Sequence, residues 1–143
     1  MEQIVMDEVA YLFVEQYENL HGLYSESYKK DEVALIRRTA DKGEGALYTV
    51  VATIFGDKLD QVLKDAAYGA MDYIAYVDET WTPADEADRT KTLETEKLHL
   101  DSLDALLRMA QMNECSVLNE IREIMAEAQK HFHRLEERKP GME

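Results

Sequence analysis

The chain has 143 residues, a length typical of one domain, and 45% of them are hydrophobic, so residues 1–143 can form a single folded domain with a substantial core. Thirty aspartates and glutamates against 16 lysines and arginines give a formal net charge of −14 at pH 7. This charge repels DNA, RNA and anionic membranes, and it favours basic partners or cations. Direct binding to nucleic acid or to membranes is therefore not expected.

The start of the chain carries acids where a secretory signal peptide needs lysine or arginine. No apolar run approaches the ~20 residues of a membrane-spanning helix. The single cysteine, Cys115, excludes an intramolecular disulfide and a cysteine-based zinc site of the usual kind. We therefore expect a cytoplasmic protein.

Hydrophobic spacing predicts helices in the first part of the chain. Residues 3–21 carry apolar side chains on one helical face, and Gly22 is a suitable C-terminal stop. Asp31 is a candidate cap for a second helix, which continues through Ile36 and ends near residues 42–45.

The segment ALYTVVATIF, residues 46–55, is ambiguous, because its β-branched residues are typical of a strand. An apolar stripe with helical spacing nevertheless runs from Leu47 to Ala66 across Gly56. A single strand would also have no partner elsewhere in the chain. We predict helix, in one or two pieces, to about Val77, although the sequence by itself leaves a strand open.

The run Thr82-Pro83-Ala84-Asp85 predicts the start of another helix. Thr82 and Asp85 have the spacing of a capping box, and Pro83 suits the first helical position. A helix is therefore expected to begin at Pro83.

The C-terminal third predicts two helices that pack against each other. Steps of three and four residues separate successive members of two series: Leu93, Glu96, Leu100, Leu103, Leu107 and Ala110, and then Leu118, Ile121, Met125, Ala128, Phe132 and Leu135. The break at residues 112–116 is short, so the two helices should be antiparallel. The sequence as a whole predicts an all-α fold, a four- to five-helix bundle with a C-terminal antiparallel helical hairpin.

A Glu-x-x-His pair, Glu96 and His99, is the first candidate for chemistry. Its spacing puts both side chains on one face of a helix, and antiparallel pairing brings His131 towards them. Glu96, His99 and His131 are therefore a candidate site for a divalent metal or for an acid–base pair. The alternative is structural: Glu96 pairs with His131 or Arg134.

An acidic tract is the second candidate. Seven acids and no lysine or arginine occur from Asp65 to Asp88, with tyrosines and one tryptophan between them. Acids steer association with a basic protein, and aromatic side chains supply anchors. The residues predicted to bind a partner are Asp72, Tyr76, Asp78, Glu79, Trp81, Asp85 and Glu86. The alternative is that the tyrosines line the core and the acids lie on the opposite, solvent-exposed face of the helix.

Two hypotheses about function follow. The preferred one is a non-enzymatic interaction or regulatory protein, with no cofactor, that binds a basic protein surface or forms a homodimer. The other is a metal-binding helical bundle that uses the Glu/His cluster.

Overall fold

The computed structural model describes residues 3–114 and 116–141 and leaves Cys115, in the predicted break before the last helix, outside this description. The α-helices of the described residues are α1 (Gln3–His21), α2 (Lys30–Thr39), α3 (Glu44–Phe55), α4 (Leu59–Thr80), α5 (Glu86–Met112) and α6 (Leu118–Glu136). Short 3-10 turns, Ala40–Lys42 and Gly56–Lys58, join α2 to α3 and α3 to α4. The described ranges contain no strand, so the all-α prediction is confirmed.

Four long helices, α1, α4, α5 and α6, form the bundle, and the shorter α2 and α3 pack beside them. Helix α4 contacts α1, α5 and α6, and α5 contacts both α1 and α6. One cluster of buried apolar side chains joins these helices, with Phe13, Leu63, Leu106 and Ile121 fully buried in it. Within residues 3–114 and 116–141, none of the helices has the length and apolar character needed to cross a membrane.

The ambiguous segment forms most of α3. Its buried side chains, Leu47, Val51 and Phe55, recur every fourth residue, so they share one helical face. The hydroxyl groups of Thr49 and Thr53 each donate to the carbonyl oxygen four residues earlier, at 3.0 Å. The β-branched residues are therefore accommodated in a helix because its apolar face is buried.

The boundaries of the first helices follow the sequence except at both ends of α2, which ends at Thr39 and is followed by a 3-10 turn to Lys42. Helix α1 ends before Gly22, whose φ of +69° is a left-handed conformation that favours glycine, as predicted. Gly56, with φ of +56°, separates α3 from α4. The residue before α2 is Lys29, and Asp31 lies inside the first turn instead of capping the helix.

The start of α5 differs from the prediction by three residues. The helix begins at Glu86 rather than at Pro83, and Asp85 occupies the N-cap position in place of Thr82. The Asp85 carboxylate accepts a hydrogen bond from the backbone N–H of Asp88 at 2.8 Å. A carboxylate is a stronger acceptor than a threonine hydroxyl for the free N–H groups of a helix start, and this favours the later cap.

Asp88 completes this cap from inside the first turn. Its carboxylate accepts from the backbone N–H of Ala84 at 3.0 Å and from the indole N–H of Trp81 at 3.1 Å. These two hydrogen bonds lower the pKa of Asp88. Trp81 is consequently held beside the start of α5.

The predicted C-terminal hairpin is confirmed. Arg89, in the first turn of α5, donates to the carbonyl oxygens of Glu136 and Arg138 at 2.8 and 2.7 Å. The start of α5 therefore meets the end of α6, which makes the two helices antiparallel.

Helix α5 buries a wider face than the leucine series indicates. Leu100 and Leu107 are only half-buried, whereas His99 and Leu106 are buried. The buried residues of α5 are Glu96, His99, Ser102, Leu103, Ala105, Leu106, Met109 and Ala110. Because α5 packs against α1 and α4 as well as α6, its buried face extends beyond a two-helix seam.

The cap of α5 gives a direct test of its boundary. Replacing Asp85 with alanine removes the acceptor for the Asp88 N–H and should lower the free energy of unfolding by about 1 kcal/mol. Thr82→Ala is the matched control, because this exposed residue precedes the helix, and its effect should stay within about 0.5 kcal/mol. Urea unfolding measures the free energy of unfolding of both variants. A larger loss for Thr82→Ala than for Asp85→Ala would indicate that the helix begins at Pro83.

Candidate functional site

His99 lies between two carboxylates in the interior of the bundle. Its Nδ1 lies 3.0 Å from Glu96 Oε1 on the same helix, and its Nε2 lies 3.3 Å from Glu8 Oε1 on α1. Glu96 and His99 are 4% and 9% exposed. Both ring nitrogens therefore face an acceptor, an arrangement that the doubly protonated imidazolium satisfies with two N–H donors.

Burial by itself lowers the pKa of His99, because it disfavours the charged ring. The hydrogen bonds from Glu8 and Glu96, together with their negative charges, outweigh this effect and raise the pKa to about 9. His99 is consequently a cation at neutral pH, and it neutralises part of the negative charge buried with it.

Tyr73 of α4 connects this buried group to the surface. Its ring stacks on the His99 ring, with a centroid distance of 4.8 Å and an interplanar angle of 15°. Its hydroxyl group donates to the Glu15 carboxylate of α1, 3.1 Å from each oxygen. Burial and its hydrogen bonds to Tyr11 and Glu15 raise the pKa of Tyr73, so the hydroxyl keeps its proton at neutral pH.

A groove of about 540 Å³ opens between α1 and α4 beside Tyr73. Its lining consists of acids, tyrosines, small amides and one glycine: Glu15, Gln16, Asn19, Asp65, Tyr68, Gly69, Asp72, Tyr73 and Tyr76. None of these nine residues is lysine or arginine. Three carboxylates and three phenol rings therefore surround one open space.

Burial raises the pKa of Glu15, and its hydrogen bond from Tyr73 opposes that shift. The charges of Glu8 and Glu18 raise the pKa further. A cation placed beside Glu15 would relieve this repulsion between carboxylates. The groove is therefore electrostatically suited to a positively charged group.

The predicted partner-binding residues divide into distinct groups. Asp72 and Tyr76 line the groove, and Tyr76 is 67% exposed. Glu79, Asp85 and Glu86 are exposed but outside the groove lining. The remaining two, Asp78 and Trp81, are held by contacts within the protein.

Asp78 is the centre of an ion-pair cluster between α4 and the end of α6. Its side chain is 7% exposed, and it contacts His131 at 2.8 Å, Arg134 at 2.7 Å and Arg138 at 2.5 Å. Burial opposes ionisation, but the hydrogen bonds from His131 and Arg134 and the charges of Arg134 and Arg138 lower the pKa of Asp78. The Asp78 carboxylate thus joins α4 to the C-terminal end of α6.

The predicted metal ligands are brought together only in part. Glu96 and His99 contact each other, whereas Nδ1 of His131 contacts Asp78. Within the described ranges, no group of three or more histidines, aspartates and glutamates is arranged to hold a metal ion. The metal hypothesis therefore stays a prediction.

The α1 residues of this site, and Asp65, Tyr68, Gly69 and Tyr73 of α4, were not among the predicted site residues. Glu8 and Glu15 are seven residues apart on α1 and so lie on the same side of it, with Tyr11 between them. This spacing indicates that the two glutamates share one face of α1, but it does not indicate which helix packs against that face. On α4 the members Asp65, Gly69, Asp72 and Tyr76 share one face by the same rule.

The chain matches no model of a known protein family, no curated protein and no solved structure. The groove and the buried cluster beside it are therefore the features that point to a function.

The buried cluster predicts how stability depends on pH. The pKa of His99 is higher in the folded chain, about 9, than the ordinary value of 6.5, so the folded state retains a proton that the unfolded state releases. Protonation of His99 therefore stabilises the fold fully below pH 6.5. As the pH rises to 9 this contribution is lost, and the free energy of unfolding falls by ~3 kcal/mol. Urea unfolding at several pH values measures this loss, which should be absent in His99→Gln. If the free energy of unfolding depends on pH equally in the wild type and in His99→Gln, His99 is not the group responsible.

The Asp78 cluster predicts a large difference between neighbouring acids. Asp78→Asn removes the charge that faces His131, Arg134 and Arg138 and should lower the free energy of unfolding by roughly 3 kcal/mol. Glu79→Gln, a matched change at the exposed neighbour, should alter it by less than about 0.5 kcal/mol. Similar stabilities of the two variants would show that Asp78 does not join the helices.

Proposed function

We propose that this protein is a non-enzymatic interaction module that binds a basic segment of a partner protein in the groove between α1 and α4. The observation that carries the proposal is the lining of that groove, in which Glu15, Asp65 and Asp72 accompany three tyrosines without any lysine or arginine. The net charge of −14 adds long-range attraction for a basic partner.

The groove offers two kinds of interaction to a cation. Carboxylates accept hydrogen bonds from ammonium or guanidinium groups, and such charge-assisted bonds are stronger than neutral ones. The tyrosine rings, Tyr68, Tyr73 and Tyr76, offer cation–π contacts worth about 0.5–1 kcal/mol each at an exposed site. Several weak contacts of this kind fit a reversible interaction with an extended basic peptide.

Rigid positioning of the groove wall supports binding rather than catalysis. Tyr73 is held by the His99 ring on one side and by Glu15 at its hydroxyl group. Its raised pKa keeps it a neutral hydrogen-bond donor, not a nucleophile. A wall that is already in place lowers the entropic cost of binding.

The test measures binding of a fluorescein-labelled nonapeptide with alternating glycine and mixed lysine and arginine residues. Fluorescence anisotropy at low salt should detect binding that weakens as salt rises. The double variant Asp65→Asn plus Asp72→Asn should lower the affinity about three- to tenfold, because it removes two carboxylates from the groove.

The matched control is Asp57→Asn plus Glu123→Gln. Both residues are exposed and outside the groove lining, so this variant changes the net charge equally. It should keep nearly the affinity of the wild type. Equal losses in the two double variants would mean that only net charge matters, and a wild type that binds no basic peptide would refute the proposal.

A further inference from the structure

Gly69 lies in the interior of α4, ten residues after its start at Leu59 and eleven before its end at Thr80. Glycine is among the least favourable residues for a helix interior, because the unfolded chain has more freedom to lose there. Its φ is not positive, unlike that of Gly22 or Gly56, so the backbone conformation is open to any residue.

Close packing of helices does not account for Gly69 either. A Cβ atom built at this position would meet Leu12 Cδ2 of α1 at 3.9 Å, an ordinary van der Waals distance. Alanine would therefore fit against α1 without displacing it. The glycine weakens the helix, and neither the fold nor the helix crossing requires it.

Gly69 does affect the groove, because it is one of the residues that line it. It shares a helical face with Asp65, Asp72 and Tyr76, which occupy positions four residues before and three and seven residues after it. The missing side chain leaves the part of the groove between these residues open. A side chain at position 69 would occupy space that a ligand can otherwise enter.

We propose that Gly69 forms the floor of a subsite for an arginine side chain of the partner. This inference rests on the proposed function, since it specifies the group that enters the same groove. A flat guanidinium group lies against the glycine and the neighbouring tyrosine rings, and its edge donates to the carboxylates of Glu15 and Asp72.

The chemistry of the lining favours arginine over lysine. A guanidinium group is planar, stacks on aromatic rings and presents five N–H donors, so it can reach two carboxylates at once. An ammonium group is compact and more strongly hydrated, so it gains less from an aromatic wall. Glu15 is already oriented by Tyr73, which donates to both of its oxygens.

The experiment compares two labelled nonapeptides with the wild-type chain, one with alternating glycine and arginine and the other with alternating glycine and lysine. The arginine peptide should bind more tightly. Gly69→Ala should raise the melting temperature by about 2–4 °C, because the helix is strengthened. The same variant should weaken binding of the arginine peptide about tenfold, and Gly69→Leu should weaken it further.

Gly45→Ala is the matched control, because Gly45 is a helical glycine of α3 with nothing within 4 Å of an added Cβ and lies outside the groove lining. It should leave the affinity for the arginine peptide unchanged. Equal binding of the two peptides, or undiminished binding by a folded Gly69→Ala, overturns the arginine subsite while basic-peptide binding stands. A wild type that binds neither peptide overturns the proposed function as well.

Discussion

His99 of α5 is held between Glu8 of α1 and Glu96 of its own helix, and this buried contact joins α5 to α1 beside the groove. An imidazolium between two carboxylates offsets part of the cost of burying charge, because each ring nitrogen faces a carboxylate oxygen. Tyr73 rests on the other side of the same ring. The buried His99 side chain therefore contacts both α1 and α4, the two helices that border the groove.

A second set of charged contacts lies at the ends of α4 and α6 and at the start of α5. Arg138 donates to the carbonyl oxygens of Asp78 and Trp81 at the end of α4, at 2.5 and 3.2 Å, and Arg89 does the same at the end of α6. Both guanidinium groups satisfy carbonyls that a helix end leaves without partners. Long arginine side chains between helix ends thus connect α4, α5 and α6.

The acidity of the chain has several separate physical roles. In the tract from Asp65 to Asp88, Asp78 joins α4 to α6, and Asp85 and Asp88 cap α5. Asp65 and Asp72 line the groove. The acids of this tract are thus divided between contacts that stabilise the fold and the groove in which we propose that a basic partner binds.

The sequence by itself determined the all-α class and the approximate extent of most helices, whereas the helical state of residues 46–55 was settled by the burial of their apolar face. The spacing of apolar residues and a helix-terminating glycine such as Gly22 are local features of the sequence. They indicate a helix and its end without knowledge of the tertiary structure. The pairing of helices could not be read in this way. Glu8 meets His99, and Tyr73 meets Glu15 across 58 positions, only because α1, α4 and α5 pack together. Periodicity tells which side of a helix is buried, but which residue lies opposite is decided by the tertiary packing of the helices.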